Sequence, residues 1–121
     1  MSIAELGRLA EALVSKDLTQ KGYTILAHNY RKPWGEIDVI AKKDDIIIFI
    51  EVKASRQLLS GFEPELRADR KKIKRVIRTA QTYLLEKRYP TEQPWQIDVI
   101  AVTVNDKGEI TTLNHFQNID V

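Results

Sequence analysis

Three side chains carry the most distinctive chemistry in this sequence: Asp38, Glu51 and Lys53. Asp38 sits inside Ile37-Asp38-Val39-Ile40, and Glu51 and Lys53 close an apolar run that begins at Ile46. A charge buried without a partner is costly, so such groups should be paired, metal-bound or placed at a sheet's open end. Residues 51 and 53 are two apart and would share one face of a strand. If the chain turns at Asp44-Asp45, antiparallel registers whose residue numbers sum to about 89 or 91 set Asp38 against Glu51 or Lys53. That puts two carboxylates and one ammonium in a small patch. Two carboxylates suit a hard divalent cation, Mg²⁺ or Mn²⁺, with several waters retained. Such an ion polarises a phosphate and acidifies a bound water. A nearby lysine can orient that water, stabilise the crowded phosphate, or take a proton if burial or the ion's charge depresses its pKa. Phosphodiester hydrolysis is the chemistry that fits. The plain alternative is an ion pair at a sheet end. Glu36, on the same strand face as Asp38, is either a further ligand or supporting base, or a solvated charge where the strand begins.

The elements that must hold these groups are legible from periodicity. Ile3, Leu6, Ala10, Leu13, Val14 and Leu18 recur at helical spacing, so Ile3 to Lys21 reads as a helix. Ser2 with Glu5 three residues later is a capping pattern, and Gly22 ends the helix. Tyr23 to Arg31 reads as a strand, closed by the turn Lys32-Pro33-Trp34-Gly35. Glu36 to Lys42 is the next strand, with Ile37, Val39 and Ala41 expected on one face and Glu36, Asp38 and Ile40 on the other. Ile46 to Lys53 is a strand buried on both faces, pairing with its predecessor as a hairpin. Ala54 to Glu65 reads as a loop and Arg67 to Arg88 as a long helix with Ile73, Val76, Ile77, Ala80, Tyr83 and Leu84 inward. Gln96 to Val104 and Glu109 to Phe116 complete the chain as strands turned at Asn105 to Gly108. The order is αβββαββ. Ile37 to Ala41 recurs as Ile97 to Ala101, too short for a domain repeat but expected of two buried strands.

Composition bounds the rest. With 121 residues, 43% hydrophobic and 30% charged, one domain with its own core is expected. There is no cysteine, which excludes disulfides, thiolate metal sites and a cysteine nucleophile. No apolar run is long enough to span a bilayer, and Met1 to Glu11 lacks a signal-peptide pattern, so a soluble cytoplasmic protein with no membrane partner is expected. Net charge is only +2, but residues 53–88 hold eleven Lys/Arg against four Asp/Glu. Arg67, Arg70, Lys71, Lys72, Lys74, Arg75 and Arg78, with Arg56 before them, would contact a nucleic-acid backbone, or else form a solvated helix face. The loop over residues 54–69, with Gly61, would clamp such a substrate. Trp34 and Trp95 are expected to cover the core or a loop, base stacking being the other use. His28 and His115 are isolated and expected at the surface or an edge, and Asp98 is read as structural.

Asp38, twelve residues, then Glu51-Val52-Lys53 resembles the Asp…Glu-x-Lys signature of restriction-endonuclease-like nucleases (the PD-(D/E)XK superfamily). More narrowly, the chain resembles the UPF0102 (YraN-type) family of endonuclease-like proteins. Gly7, Glu11, Gly22-Tyr23, Asn29-Tyr30-Arg31, Gly35 through Ala41, Phe49 through Lys53, Lys72, Ala80, Tyr83-Leu84 and Ile97-Asp98-Val99 carry that resemblance. More distantly, it is similar to archaeal Holliday-junction resolvases. The resemblance implies a three-layer α/β fold with a mixed five-stranded central sheet flanked by helices. It implies divalent metal at Asp38 and Glu51, with Glu11 as a supporting acid, although helical spacing alone also allows Glu11 to be a solvated carboxylate. The family often carries Gly where Ala10 stands, and an Arg nearer the Lys than Arg56 is. Two functions follow. One is a metal-dependent endonuclease on DNA, branched or otherwise structured DNA included, for which a homodimer would suit paired cuts. The other is a non-catalytic nucleic-acid-binding or scaffold module on the same fold.

Overall fold

The computed structural model describes residues 1–56 and 70–119. Its order is α1 (Ile3–Gln20), β1 (Thr24–Lys32), β2 (Gly35–Lys43), β3 (Ile46–Arg56), α2 (Arg70–Glu86), β4 (Trp95–Val104) and β5 (Ile110–Phe116). The five strands form one sheet in the order β1-β2-β3-β4-β5. Neighbours pair antiparallel except β3 and β4, which are parallel and joined through α2. The fold is the expected α/β arrangement, with α1 on one face of a mixed five-stranded sheet and α2 on the other.

Local chemistry explains the element ends. Ser2 Oγ accepts the Glu5 N–H at 3.1 Å and caps α1. At the other end the Tyr23 N–H donates to Leu18 O and the Gly22 N–H to Thr19 O, with Gly22 at φ +92°. This paired closure needs a left-handed residue that glycine supplies without a Cβ clash. The β2–β3 turn uses Asp44 and Asp45 at φ +50° and +64°, the double left-handed turn whose twist suits a two-residue hairpin. Pairing runs from Lys43↔Ile46 to Val39↔Ile50, residue numbers summing to 89, one of the two anticipated registers.

Two cores result. Ala10, Val14 and Leu18 of α1 pack on Val39, Ala41, Ile48, Ile50, Ile100 and Val102. Val76, Ala80 and Tyr83 of α2 pack on Ile37, Ile40, Ile47, Phe49 and Ile97. β3 supplies both, its Ile47, Phe49 and Ile50 being fully buried, as a central strand requires.

Three expectations are corrected. Ile37 does not share a face with Val39 and Ala41: it packs under α2 and they pack under α1. Strict alternation would keep residues two apart together, so the alternation of β2 breaks at Asp38, whose neighbours Ile37 and Val39 pair with Tyr30 and His28 on either side of the left-handed Asn29 (φ +49°). β3 also runs on to Arg56, because β4 offers a parallel partner as far as Arg56↔Val104, so residues 54–56 are strand and not loop. His115 is not isolated, and its partner is described below. Residues 57–69, which carry Arg67, Gly61 and the rest of the expected clamp, lie outside the described residues. No described helix is long and apolar enough to cross a membrane.

Candidate active site

The end of regular β2–β3 pairing gives Asp38 its position. Regular β2–β3 pairing stops at Val39↔Ile50. One residue beyond, Asp38 Oδ2 accepts the Val52 N–H at 2.8 Å, so a carboxylate takes the place of a strand carbonyl. Val52 lies between Glu51 and Lys53, so this bond fixes Asp38 against the Glu-x-Lys segment. Glu51 has the parity of Ile47 and Phe49 and emerges just past the core under α2. Lys72, in the first turn of α2, reaches Glu51 Oε2 at 3.7 Å. Glu51 Oε1 is buried and, among the described residues, has no hydrogen-bond partner.

Burial dominates the electrostatics. It raises the Asp38 carboxyl to about 6, aided by the charges of Glu11 and Glu36 and opposed by the Val52 N–H and Lys72. Burial likewise raises Glu51 to about 7, with the Asp38 charge adding to it and Lys72 opposing. The two carboxylates sense each other as like charges in a poorly solvated place, so they titrate as a pair. A bound cation would relieve both penalties.

Lys53 is half-buried and, among the described residues, forms no ion pair or hydrogen bond. Its parity puts it on the strand face of Glu51, two residues nearer the open end. Glu11 is half-buried on α1 beside Ala10, close enough for its charge to act on Asp38. Among the described residues, however, no set of three acidic or histidine side chains converges at ligating distance. The structure thus joins Asp38 with Glu51, brings Lys72 to them, and leaves Glu11 at the margin. Lys72 was anticipated as a backbone contact; its pairing with Glu51 has no signal in the sequence.

On α2, Arg70, Lys71, Lys72, Lys74, Arg75 and Arg78 are all exposed, opposite the buried Val76, Ala80 and Tyr83. Arg78 stacks on the Trp34 ring at 4.1 Å. Arg56 is exposed and donates to the Met1 carbonyl. Trp95 packs edge-on against Phe49 at 5.8 Å, a core role. Asp98 is fully buried and fully engaged: Oδ1 accepts Gln96 Nε2 at 2.9 Å and the Asn118 N–H at 2.8 Å, and Oδ2 meets His115 Nε2 at 2.7 Å.

Comparison with known proteins bears out the family resemblance. The family described as "Uncharacterised protein family UPF0102" matches residues 10–102, which includes Glu11, Asp38, Glu51, Lys53 and the basic face of α2. A UPF0102 protein of Dictyoglomus thermophilum is 35% identical over 118 residues, covering 98% of each chain. One from Pseudothermotoga lettingae is 38% identical over 112 residues, 93% of this chain and 95% of the relative. One from Fervidobacterium nodosum is 40% identical over 116 residues, 93% of this chain and 79% of the relative. With matches of this extent, the chain belongs to the UPF0102 family.

Proposed function

We propose that this protein is a Mg²⁺- or Mn²⁺-dependent endonuclease that hydrolyses phosphodiester bonds of DNA. The carrying observation is the meeting of Asp38 and Glu51 where β2 and β3 part, with Glu51 Oε1 buried and unpartnered. An unpaired buried carboxylate oxygen is costly and calls for a cation. The donors are hard oxygens and fit Mg²⁺ or Mn²⁺. Asp38 and Glu51 would hold the ion, and Glu11 would add negative charge from α1. When bound, the ion supplies charge neutralisation at the phosphate and an acidified water.

The chain's own residues would do the remaining work. Asp38, fixed by the Val52 N–H, keeps its orientation without reorganising. Lys53 would orient the attacking water or stabilise the charge that builds on phosphate oxygens. Lys72 would release Glu51 to the cation and turn toward the substrate's phosphate. Arg70, Lys74, Arg75 and Arg78 would hold the backbone irrespective of sequence.

Titrating Mn²⁺ into wild type and Glu51→Gln by calorimetry tests the metal site. Wild type should bind and the variant should lose specific binding. Cleavage of plasmid, single-stranded and branched DNA should require the metal and vanish in Asp38→Asn and Lys53→Ala. Cleavage that survives both substitutions would sink the proposal. The Lys72–Glu51 pair favours one competing reading, a non-catalytic nucleic-acid-binding module in which Lys72 serves in place of a cation. In that case wild type would bind DNA without turnover under any metal.

A further inference from the structure

A second site lies beside the acidic pair, between the β1–β2 turn and α2. It is a pocket of about 600 Å³, open to solvent, walled by Arg31, Trp34, Glu36, Arg75 and Arg78 with the turn backbone. That volume lies in the range of sites that bury a small organic molecule, and it exceeds what a lone phosphate needs.

The lining has a definite charge pattern. Arg31 is committed to Glu36 at 3.1 Å, and Lys32, which also borders the pocket, to Glu86 at 2.7 Å. Arg75 and Arg78 pair with no carboxylate among the described residues. The pocket therefore presents two uncompensated guanidiniums beside an aromatic wall. Arg78 lies on the Trp34 ring, and a guanidinium plane of this kind is itself a surface on which a base stacks. The Trp34 indole N–H is buried and has no acceptor among the described residues. The geometry is rigid, because the turn sits hard against α2: a Cβ on Gly35 would lie 2.4 Å from Thr79 Oγ1 and 3.1 Å from Arg75 O.

The position relative to Glu51 is also defined. Lys72, Arg75 and Arg78 step along α2 at intervals of three residues, and Lys72 touches Glu51. Six residues of helix are about 9 Å, roughly three phosphate steps of a B-form strand and fewer of an extended one. Glu36 spans the two places, lining the pocket while its charge acts on Asp38 and Glu51.

We propose that this pocket receives one unpaired nucleotide of a DNA strand, its phosphate on Arg75 and Arg78 and its base against the Arg78–Trp34 stack. The inference rests on the nucleic-acid part of the function proposed above and names the substrate class: DNA with unpaired nucleotides a few steps from the cut. A base inside a blunt duplex is already stacked and would have to leave its neighbours to enter.

Binding is measured in EDTA, so that metal and turnover play no part. The probes are an eight-residue oligothymidylate and a blunt sixteen-base-pair duplex. The protein is Trp95→Phe, which leaves Trp34 as the only tryptophan, and the same chain carrying Arg75→Gln and Arg78→Gln. Oligothymidylate should change Trp34 emission. The double substitution should weaken single-strand binding about tenfold or more and cut the salt slope by about 1.4. The duplex should lose much less affinity. Circular dichroism should show both chains equally folded, the two arginines being exposed.

An unchanged Trp34 signal, or equal losses for single strand and duplex, overturns the inference, as does failure of the oligothymidylate to bind. The Mn²⁺ titration separates the two proposals. Metal binding and cleavage with a silent pocket leave the nuclease standing alone. A responsive pocket without metal binding leaves the nucleotide site standing and removes the nuclease.

Discussion

Two aspartates occupy identical pentapeptides, Ile37 to Ala41 and Ile97 to Ala101, and the number of partners on each carboxylate separates their roles. Asp98 accepts from Gln96 and the Asn118 backbone and pairs with His115, which in turn lies 6.2 Å from the Tyr23 ring. Asp38 accepts one backbone N–H, feels the charges of Glu11 and Glu36, and itself acts on Glu51. A satisfied buried carboxylate is a structural device; one crowded by like charge is poised for a cation. Asp98→Ala should therefore destabilise the fold by about 3 kcal/mol, since it strands a half-buried imidazole, an amide and a backbone N–H at once. Urea unfolding at neutral pH measures it, and a loss below about 1 kcal/mol would contradict this account. Sequence alone marked Asp98 as structural only because no Glu-x-Lys follows it. Its partner His115 lies seventeen residues on, across the β4–β5 hairpin, and no local pattern announces that contact.

At the level of elements, the close seat of the β1–β2 turn on α2 sets the geometry of both sites. Gly35 permits it. A methyl there would meet the buried Thr79 Oγ1 and the Arg75 carbonyl, neither at the end of a flexible chain. Gly35→Ala should cost about 1–3 kcal/mol by overpacking, read by thermal or urea unfolding, and should shift Trp34 fluorescence as the turn lifts. No change in either would show that the turn is not held as described. The elements themselves were readable from residues 3–53 because each is fixed locally: Ser2 and Gly22 bound α1, and the Asp44-Asp45 turn sets the register that faces Asp38 toward Glu51. The break in alternation at Asp38 was not, because Ile37, Val39 and Ile40 are all apolar and either parity suits them. Nor was the length of β3, since Ala54-Ser55-Arg56 has no strand signature and is strand only because β4 runs beside it.

For the molecule as a whole, the acidic pair makes stability depend on pH in an unusual direction. Most carboxylates in folded proteins are held below their unfolded values and stabilise at neutral pH. Glu51 is held at about 7 and Asp38 at about 6, mainly by burial. The folded chain therefore keeps protons that the unfolded chain releases as pH rises from about 4. Their contribution is fully present below the unfolded values and is lost as pH climbs through 6 and 7. Wild type without metal should thus be less stable at pH 8 than at pH 5. Glu51→Gln has no charge to desolvate, so its advantage over wild type should be near zero at pH 4 and reach on the order of 1–3 kcal/mol at pH 8. Added Mn²⁺ should close that gap by mass action, stabilising wild type and leaving the glutamine variant unmoved. Urea titrations at the three pH values, with and without the ion, give the full set. A wild type that gains stability steadily from pH 5 to 8, with Glu51→Gln parallel to it, would mean that Glu51 is solvated in the folded chain, and the buried carboxylate pair would cease to be a reason to place a cation between β2 and β3.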